Sequence, residues 1–157
     1  MRPEEPVFTP ADSDFAARVL ASFARQGLMQ TLGAHLEDVR PGFCEIRLPF
    51  REGLSQQHGF FHAGATAAIA DSAGGYAAFS LMAAGDSVLS VEYKINLLAP
   101  AKGDLLIARA RVLRSGQTLS VCRADVFARR ESKEALCATM LQTVMRLRNR
   151  ADLPAPG

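Results

Sequence analysis

The chain has 157 residues, 48% hydrophobic and 22% charged, a composition typical of one globular domain and unlike that of disordered or fibrous proteins. Its net charge of +2 is too small to attract nucleic acid, so we expect no such partner. Three scattered cysteines fit neither a disulfide framework nor a zinc site, and the start MRPEEPVFTP lacks the apolar run of a signal peptide, so a reducing, cytoplasmic location is expected.

The first predicted element is a helix over residues 10–26. Thr9 is placed as its cap, Pro10 at the first helical position, and Asp12 where it would close a capping box. Apolar residues then recur at four-residue spacing, as on one face of a helix. Gly27 is predicted to end the helix.

A hairpin is predicted next. Residues 33–39 and 43–50 have strand composition and are joined by Arg40-Pro41-Gly42, a turn-forming sequence. Residues 51–61 break the pattern and are predicted to form a loop.

A long apolar helix is predicted from His62 to about Ala84. It is apolar on almost all sides and rich in alanine and glycine, so we expect a sheet to cover it closely. Its length would suffice to cross a bilayer. Asp71 lies in its first half, however, and an acid at membrane depth is costly. The sequence therefore predicts a buried helix of a soluble protein and no membrane partner.

Four strands complete the predicted fold. Residues 87–97, 104–114, 117–128 and 135–148 show strand patterns, and Ser115-Gly116 forms a tight turn. Together the elements predict a single α+β domain over residues 1–157, in which an antiparallel sheet of five or six strands surrounds one long central helix. A short flexible tail is expected from about residue 149 to 157.

Local stability does not explain Asp71. A buried carboxylate without partners is costly, and Asp is a poor helix former, so we expect a functional role. Just upstream, His62-Ala63-Gly64 begins the same helix. Its unpaired backbone N–H groups and the positive end of the helix dipole can polarise a carbonyl oxygen.

These two features cannot meet within one chain. Ala63 and Asp71 are eight residues apart, or about 12 Å along a helix that rises about 1.5 Å per residue. If two copies place their helices antiparallel across a twofold axis, the start of one helix faces the acid of the other. The spacing therefore predicts a homodimer with two equivalent sites.

Four motifs together resemble a known family: His62-Ala63-Gly64 with Asp71, Ser90-Val91-Glu92-Tyr93, Leu98 to Asp104, and Ser115-Gly116-Gln117-Thr118. From about Gly27 to Arg146 the chain resembles the hotdog-fold acyl-CoA thioesterases of the PaaI-like group. The resemblance implies a hotdog fold and hydrolysis of an acyl-CoA thioester. It also implies that no metal or bound cofactor is needed, CoA being part of the substrate, and that the homodimer associates further into a homotetramer.

The resemblance also assigns catalytic roles. Asp71 would act as general base or as nucleophile at the thioester carbon, and the Ala63 N–H would polarise the carbonyl. Gln56 falls where relatives often carry an asparagine that holds the carbonyl or the water. Ser90 would orient water, although its period-two position would place it on a solvent-facing surface. His62 would either transfer a proton or brace the loop.

The implied substrate-binding residues are His58, Gly64 and the turn formed by Ser115, Gly116, Gln117 and Thr118, which would lie near the CoA arm. Four sheet arginines are candidates either for phosphate contacts or for ordinary solvated residues: Arg109, Arg111, Arg114 and Arg123. Five apolar residues are candidates either for the walls of the acyl pocket or for ordinary core filling: Phe60, Phe61, Tyr76, Phe79 and Met82.

Two other functions remain as alternatives. One is an enoyl-thioester hydratase or dehydratase of the same fold, although the spacing of His62 and Asp71 does not suit it. The other is a non-catalytic acyl-CoA binding module, which would gain nothing from a buried acid.

Overall fold

The computed structural model describes residues 6–153 and contains one antiparallel sheet packed against a long helix. Its elements are α1 (Phe15–Phe23), α2 (Gly27–Leu32), β1 (His35–Arg40), β2 (Phe43–Pro49), a 3-10 turn (Glu52–Leu54), α3 (Ala63–Phe79), β3 (Ser87–Leu97), β4 (Leu105–Ser115), β5 (Leu119–Arg130) and β6 (Lys133–Leu147). The six strands lie in the order β1-β2-β4-β5-β6-β3. The predicted α+β class, with six strands around one central helix, is confirmed.

The small residues of α3 let the sheet approach it closely. Ile69, Ala70 and Ala73 are fully buried. A Cβ added at Gly74 would collide with the side-chain oxygen of Gln142 on β6, so a larger residue there would displace this amide. The sheet leaves one stripe of α3 open, however, and Asp71 on this stripe is half-buried in the chain rather than fully buried as the sequence predicted.

The N-terminal helix is shorter than predicted. It begins at Phe15, and the expected cap at Thr9 is wrong, because the Asp12 carboxylate instead accepts hydrogen bonds from the Asp14 N–H at 2.9 Å and from Arg18 Nε at 2.9 Å. These contacts form a turn ahead of the helix.

The predicted end of this helix at Gly27 is also wrong. Gly27 begins α2, a short helix that the sequence did not predict. The residue with left-handed backbone is Gly33, at φ +77°, and it ends α2 so that β1 starts at His35.

The central helix ends at Phe79, not near Ala84. Ser80 follows it, and its hydroxyl donates to the Ala77 carbonyl at 2.7 Å and accepts from the Gly42 N–H at 2.8 Å. This buried hydroxyl ties the end of α3 to the β1–β2 turn, where Gly42 has φ +75° as that turn requires. The chain is then free to turn back into β3.

Two of the candidate phosphate-binding arginines have acidic partners within the chain. Arg109 Nε donates to Glu45 at 2.8 Å, and its Nη1 donates to Glu134 at 2.6 Å. Arg123 Nε donates to Asp125 at 3.1 Å. These contacts favour a structural role for both arginines.

The described part of the predicted C-terminal tail contacts Arg25, which follows α1. Arg25 Nη2 donates to the main-chain carbonyl of Asp152 at 2.6 Å and to its carboxylate at 2.7 Å. Residues 154–157 of the predicted flexible tail lie outside the described residues.

The three cysteines are free and buried, in agreement with their expected role as core thiols. Burial raises the pKa of Cys44, Cys122 and Cys137. Between residues 6 and 153, no helix is long and apolar enough to cross a membrane.

A first stability prediction concerns Asp86, a buried residue just before β3. Its carboxylate accepts from Arg146 Nε at 2.5 Å and from the Asn149 N–H at 3.0 Å. Burial alone raises the pKa of Asp86, but these hydrogen bonds outweigh burial and hold the pKa below its usual 3.8. We expect Asp86→Ala to lower the free energy of unfolding by about 2 kcal/mol at pH 7, since hydrogen bonds to a charged group are lost.

Urea denaturation at several pH values checks this expectation. The Asp86 contribution is fully present above the unfolded-state pKa and is lost as the pH falls through the lower folded-state pKa. The difference between native protein and variant should therefore be constant near neutrality and narrow below about pH 4. A difference that stays constant down to pH 2 would contradict the assigned contacts.

A second stability prediction concerns the start of α3. His62 is the N-cap residue, and its Nδ1 accepts a hydrogen bond from the Gly64 N–H at 2.8 Å. We expect His62→Ala to cost about 1 kcal/mol of unfolding free energy and His62→Asn to retain most of it, because asparagine also caps helices. Urea midpoints of the native protein and the two variants check this. An equal loss of unfolding free energy in both variants would contradict a capping contribution from His62.

Candidate active site

Asp71 lies where α3, β3 and β6 meet. Its Oδ1 accepts hydrogen bonds from Ser90 Oγ at 2.6 Å and from Gln142 Nε2 at 2.5 Å. The same Nε2 lies 3.0 Å from Ser90 Oγ and 3.1 Å from the Asp71 carbonyl oxygen. The carboxylate is therefore fixed by two donors on one oxygen, while its Oδ2 accepts no hydrogen bond from the described part of the chain.

A β-bulge directs Ser90 toward Asp71. The register of β3 with β6 shifts between Ser90 and Glu92, so Ser90 pairs with Val144 and Tyr93 pairs with Gln142. Val144 and Gln142 both face α3, and cross-strand partners share a face, so Ser90 faces the helix as well. Ser90 is exposed in the single chain, as expected, but it does not share a face with Glu92, Lys94 and Asn96, because Val91 is the extra residue of the bulge.

The open side of Asp71 faces a cavity of about 320 Å³. Polar groups of α1, α3 and the α1–α2 connection line it: Ser22 Oγ lies 3.1 Å from Tyr76 Oη, and Ser72 Oγ donates to Gln26 Oε1 at 3.1 Å. The Arg25–Asp152 ion pair and residues at the start of β3 complete the walls. We call this space, which Asp71 lines, the acid cavity; both polar and apolar groups form its walls.

Ala63, at the first helical position of α3, lines a second cavity of about 500 Å³. The His62 side chain occupies the Gly64 N–H, which corrects the prediction that this group is unpaired. Ala65 and Thr66 donate to the His62 carbonyl. The Ala63 N–H, in contrast, has no acceptor among residues 6–153. It is the group at this helix start that remains available to a carbonyl oxygen.

Gln56 and His58 also line this second cavity, which we call the amide cavity because the Ala63 N–H lies in its wall. Gln56 Oε1 accepts from the His58 N–H at 2.5 Å and the Phe60 N–H at 3.4 Å, which closes a turn with Gly59 at φ +79°. Its Nε2 makes no hydrogen bond within the described chain, so this amide can still donate to a ligand. The structure thus brings Ala63, Gln56 and His58 together, apart from Asp71 and Ser90.

The other candidate residues fall into three groups. Ser115, Gly116, Gln117 and Thr118 form the β4–β5 turn and line neither the acid cavity nor the amide cavity. Of the candidate acyl walls, Phe60 and Phe61 line the amide cavity and Tyr76 the acid cavity. Phe79 and Met82 are core residues.

Gln142 is the site residue that the sequence analysis missed. It is 1% exposed and shares a face of β6 with the buried Met140 and Val144. A polar residue at an inward-facing position of an alternating strand is unusual, and this pattern could have indicated Gln142 from the sequence. No group of three or more metal-ligating side chains occurs within residues 6–153.

Comparison with known proteins gives consistent matches. Residues 58–135 match the thioesterase superfamily. A Halobacterium salinarum protein described as an esterase is 33% identical over 133 residues, which are 81% of this chain and 87% of that protein. A solved thioesterase family protein from Silicibacter pomeroyi is 47% identical, with a TM-score of 0.83 over 85% of this chain and 98% of that one.

The fold also matches that of the E. coli PaaI protein from the phenylacetic acid degradation operon. The TM-score is 0.79 at 20% identity, over 90% of this chain and 99% of that one. The predicted hotdog fold and the family resemblance are thereby confirmed. The chain belongs to the thioesterase superfamily and is a hydrolase of thioesters with the hotdog fold.

Proposed function

We propose that this protein hydrolyses the thioester bond of acyl-CoA at two equivalent sites, each formed between two copies of the chain. One observation carries the proposal: the Asp71 carboxylate and the unpaired Ala63 N–H lie on the same open stripe of α3 but in separate cavities of one chain. Each cavity holds one half of a hydrolytic site, so a second copy has to supply the other half.

Strand β3 provides the surface for this pairing. It is an edge strand of the described sheet, and apolar side chains along it are about half exposed: Leu89, Val91, Tyr93 and Leu97. An exposed apolar edge of this length invites pairing with another strand. A second β3 in antiparallel orientation would continue the sheet and cover these side chains.

The same pairing would join the two half-sites. Val88 and Ser90, near the start of β3, line the acid cavity, whereas Leu97 at its end lines the amide cavity. A twofold axis near Tyr93 exchanges the two ends of the strand, and thereby places the acid cavity of one copy beside the amide cavity of the other.

The chemistry follows from the groups that would then meet. The thioester carbonyl accepts a hydrogen bond from the Ala63 N–H of one copy, which stabilises the negative charge that develops on oxygen. Water adds to the carbonyl carbon while Asp71 of the other copy takes its proton; the C–S bond then breaks and CoA leaves as the thiol with that proton. Direct attack by Asp71, followed by hydrolysis of the resulting anhydride, uses the same geometry.

The substrate would span both cavities. The thioester would lie where the two cavities meet, with the acyl and pantetheine ends in different cavities, and Gln56 Nε2 in the amide cavity can donate a further hydrogen bond. In this proposal CoA enters as substrate and no metal or other cofactor takes part. A cytoplasmic location, where acyl-CoA occurs, and further association into a homotetramer are parts of the same proposal.

The proposal is tested with two single variants that each damage a different half-site. Asp71→Ala removes the acid, and we expect turnover of acyl-CoA to fall at least about a hundredfold. Ala63→Pro removes only the N–H, because proline is well accepted at the first helical position and His62 before it is already extended, at φ −64° and ψ 140°. We expect turnover to fall in this variant as well, and the release of free CoA thiol measures turnover in both variants.

The decisive protein is the purified mixed dimer that carries one variant in each copy. If the site spans two copies, one of its two sites carries both defects and the other is intact, so about half of the native activity returns. If the site lies within one chain, both sites are defective and no activity returns. Hydration of an enoyl-CoA, or CoA binding without hydrolysis, would instead favour one of the two alternative functions.

A further inference from the structure

We infer that Gln142 is a positioning residue of this enzyme, which fixes the Asp71 carboxylate so that Oδ2 is the oxygen that acts on water or on the thioester. This inference rests on the proposed function of Asp71 and deepens it. Gln142 lines neither cavity and so would act through Asp71 rather than by contact with substrate.

The orientation of the Gln142 amide is fixed by its surroundings. The three oxygens nearest its Nε2 are Asp71 Oδ1, the Asp71 carbonyl and Ser90 Oγ. The first two can only accept hydrogen bonds, and the Ser90 hydroxyl gives its proton to Oδ1. The opposite amide orientation would place an oxygen among acceptors, so the N–H₂ group must face them.

Stability alone does not account for this glutamine. Its Oε1 is buried and has no hydrogen-bond partner among the described residues. Such a buried unsatisfied acceptor costs about 1–3 kcal/mol. The neighbouring inward positions of β6, Met140 and Val144, are apolar, and an apolar residue at position 142 would avoid this cost.

The helix also makes room for the glutamine at a cost. Gly74 is the residue that Oε1 approaches, and any larger residue there would collide with it. A glycine within a helix is less favourable than alanine by about 1 kcal/mol. Gly74 and the unpaired Gln142 Oε1 thus both lower the stability of the fold. Both accompany the hydrogen bond of Gln142 Nε2 to Asp71.

This contact decides which carboxylate oxygen is left to react. Ser90 and Gln142 both donate to Oδ1, and Asp71 lines the acid cavity with Oδ2 unpaired. With Gln142 absent, Ser90 alone would hold the carboxylate, which could rotate about its side-chain bonds. Since small displacements of a catalytic group are costly to turnover, the second donor would preserve the reactive geometry.

Gln142→Met tests this inference, because methionine has similar length and volume but cannot donate. We expect kcat for acyl-CoA to fall about tenfold or more while KM changes little, since Gln142 touches neither cavity. The variant should unfold at about the same urea concentration as the native protein, because removal of the unpaired Oε1 offsets the lost hydrogen bond to the Asp71 carboxylate. Lower activity with undiminished stability is an outcome that a merely structural role would not give.

Two further variants make the test specific. Gly74→Ala forces the Gln142 amide away from its position and should lower kcat similarly, although residue 142 is unchanged. Met140→Leu, a matched change at the neighbouring inward position of β6, should leave kcat as in the native protein.

The Asp71→Ala background separates the inference from the proposed function. If Gln142 acts only through Asp71, adding Gln142→Met to Asp71→Ala lowers the residual rate no further. A further loss in that background, or native kcat in Gln142→Met alone, would overturn the positioning role and leave the proposed function standing. Native turnover in Asp71→Ala would overturn the proposed function itself.

Discussion

The hydrogen bonds on Asp71 are the interaction on which the site depends, because they join α3, β3 and β6 at one carboxylate. A half-buried acid needs donors, and the interior of a hotdog fold is built mainly from apolar side chains. The fold supplies them in two ways: a bulge turns Ser90 toward the helix, and an inward position of β6 carries Gln142 instead of an apolar residue. The small residues of α3 allow both strands to come close enough.

The start of the same helix poses the opposite problem, since its first N–H groups lack intrahelical acceptors. The imidazole of His62 accepts a hydrogen bond from the Gly64 N–H. The Ala63 N–H remains unpaired beside the amide cavity. An oxyanion site requires such a group, held rigidly and left without an internal acceptor. One helix therefore provides an acid in its middle and a donor at its start. The rise of the helix keeps the two about 12 Å apart.

The fold could be predicted from the sequence, and Asp71 could be chosen as a candidate, because both depend on composition and on patterns that repeat. Period-two alternation predicted the strands, and one acid in an Ala- and Gly-rich helix singled out Asp71. Features that depend on a single contact were not predictable. The bulge at Val91 leaves the alternation of residues intact in the sequence while it reverses the face of Ser90.

The same limit applies at the chain ends and turns. Thr9, Pro10 and Asp12 have the residue types of a helix start, yet the Asp12 carboxylate bonds Asp14 and Arg18 instead. Gln142 could have been noticed as a polar residue at an inward-facing strand position, but its partner Asp71 is 71 residues away in the sequence. Contacts of that range depend on the topology of the whole sheet, which local pattern does not contain.

Four features that are unfavourable in a single chain lie on one side of this molecule: the half-buried acid, the unpaired Ala63 N–H, the open stripe of α3 and the apolar edge of β3. If each were an independent defect, they would be expected at scattered places. The two cavities instead adjoin opposite ends of β3, and a single twofold axis near its middle would relieve three of the four. Pairing would bury the edge, cover the helix stripe and enclose the acid, and would leave the amide without a protein acceptor. In that arrangement the substrate carbonyl is the acceptor that completes the helix start, so binding and catalysis would depend on the same hydrogen bond.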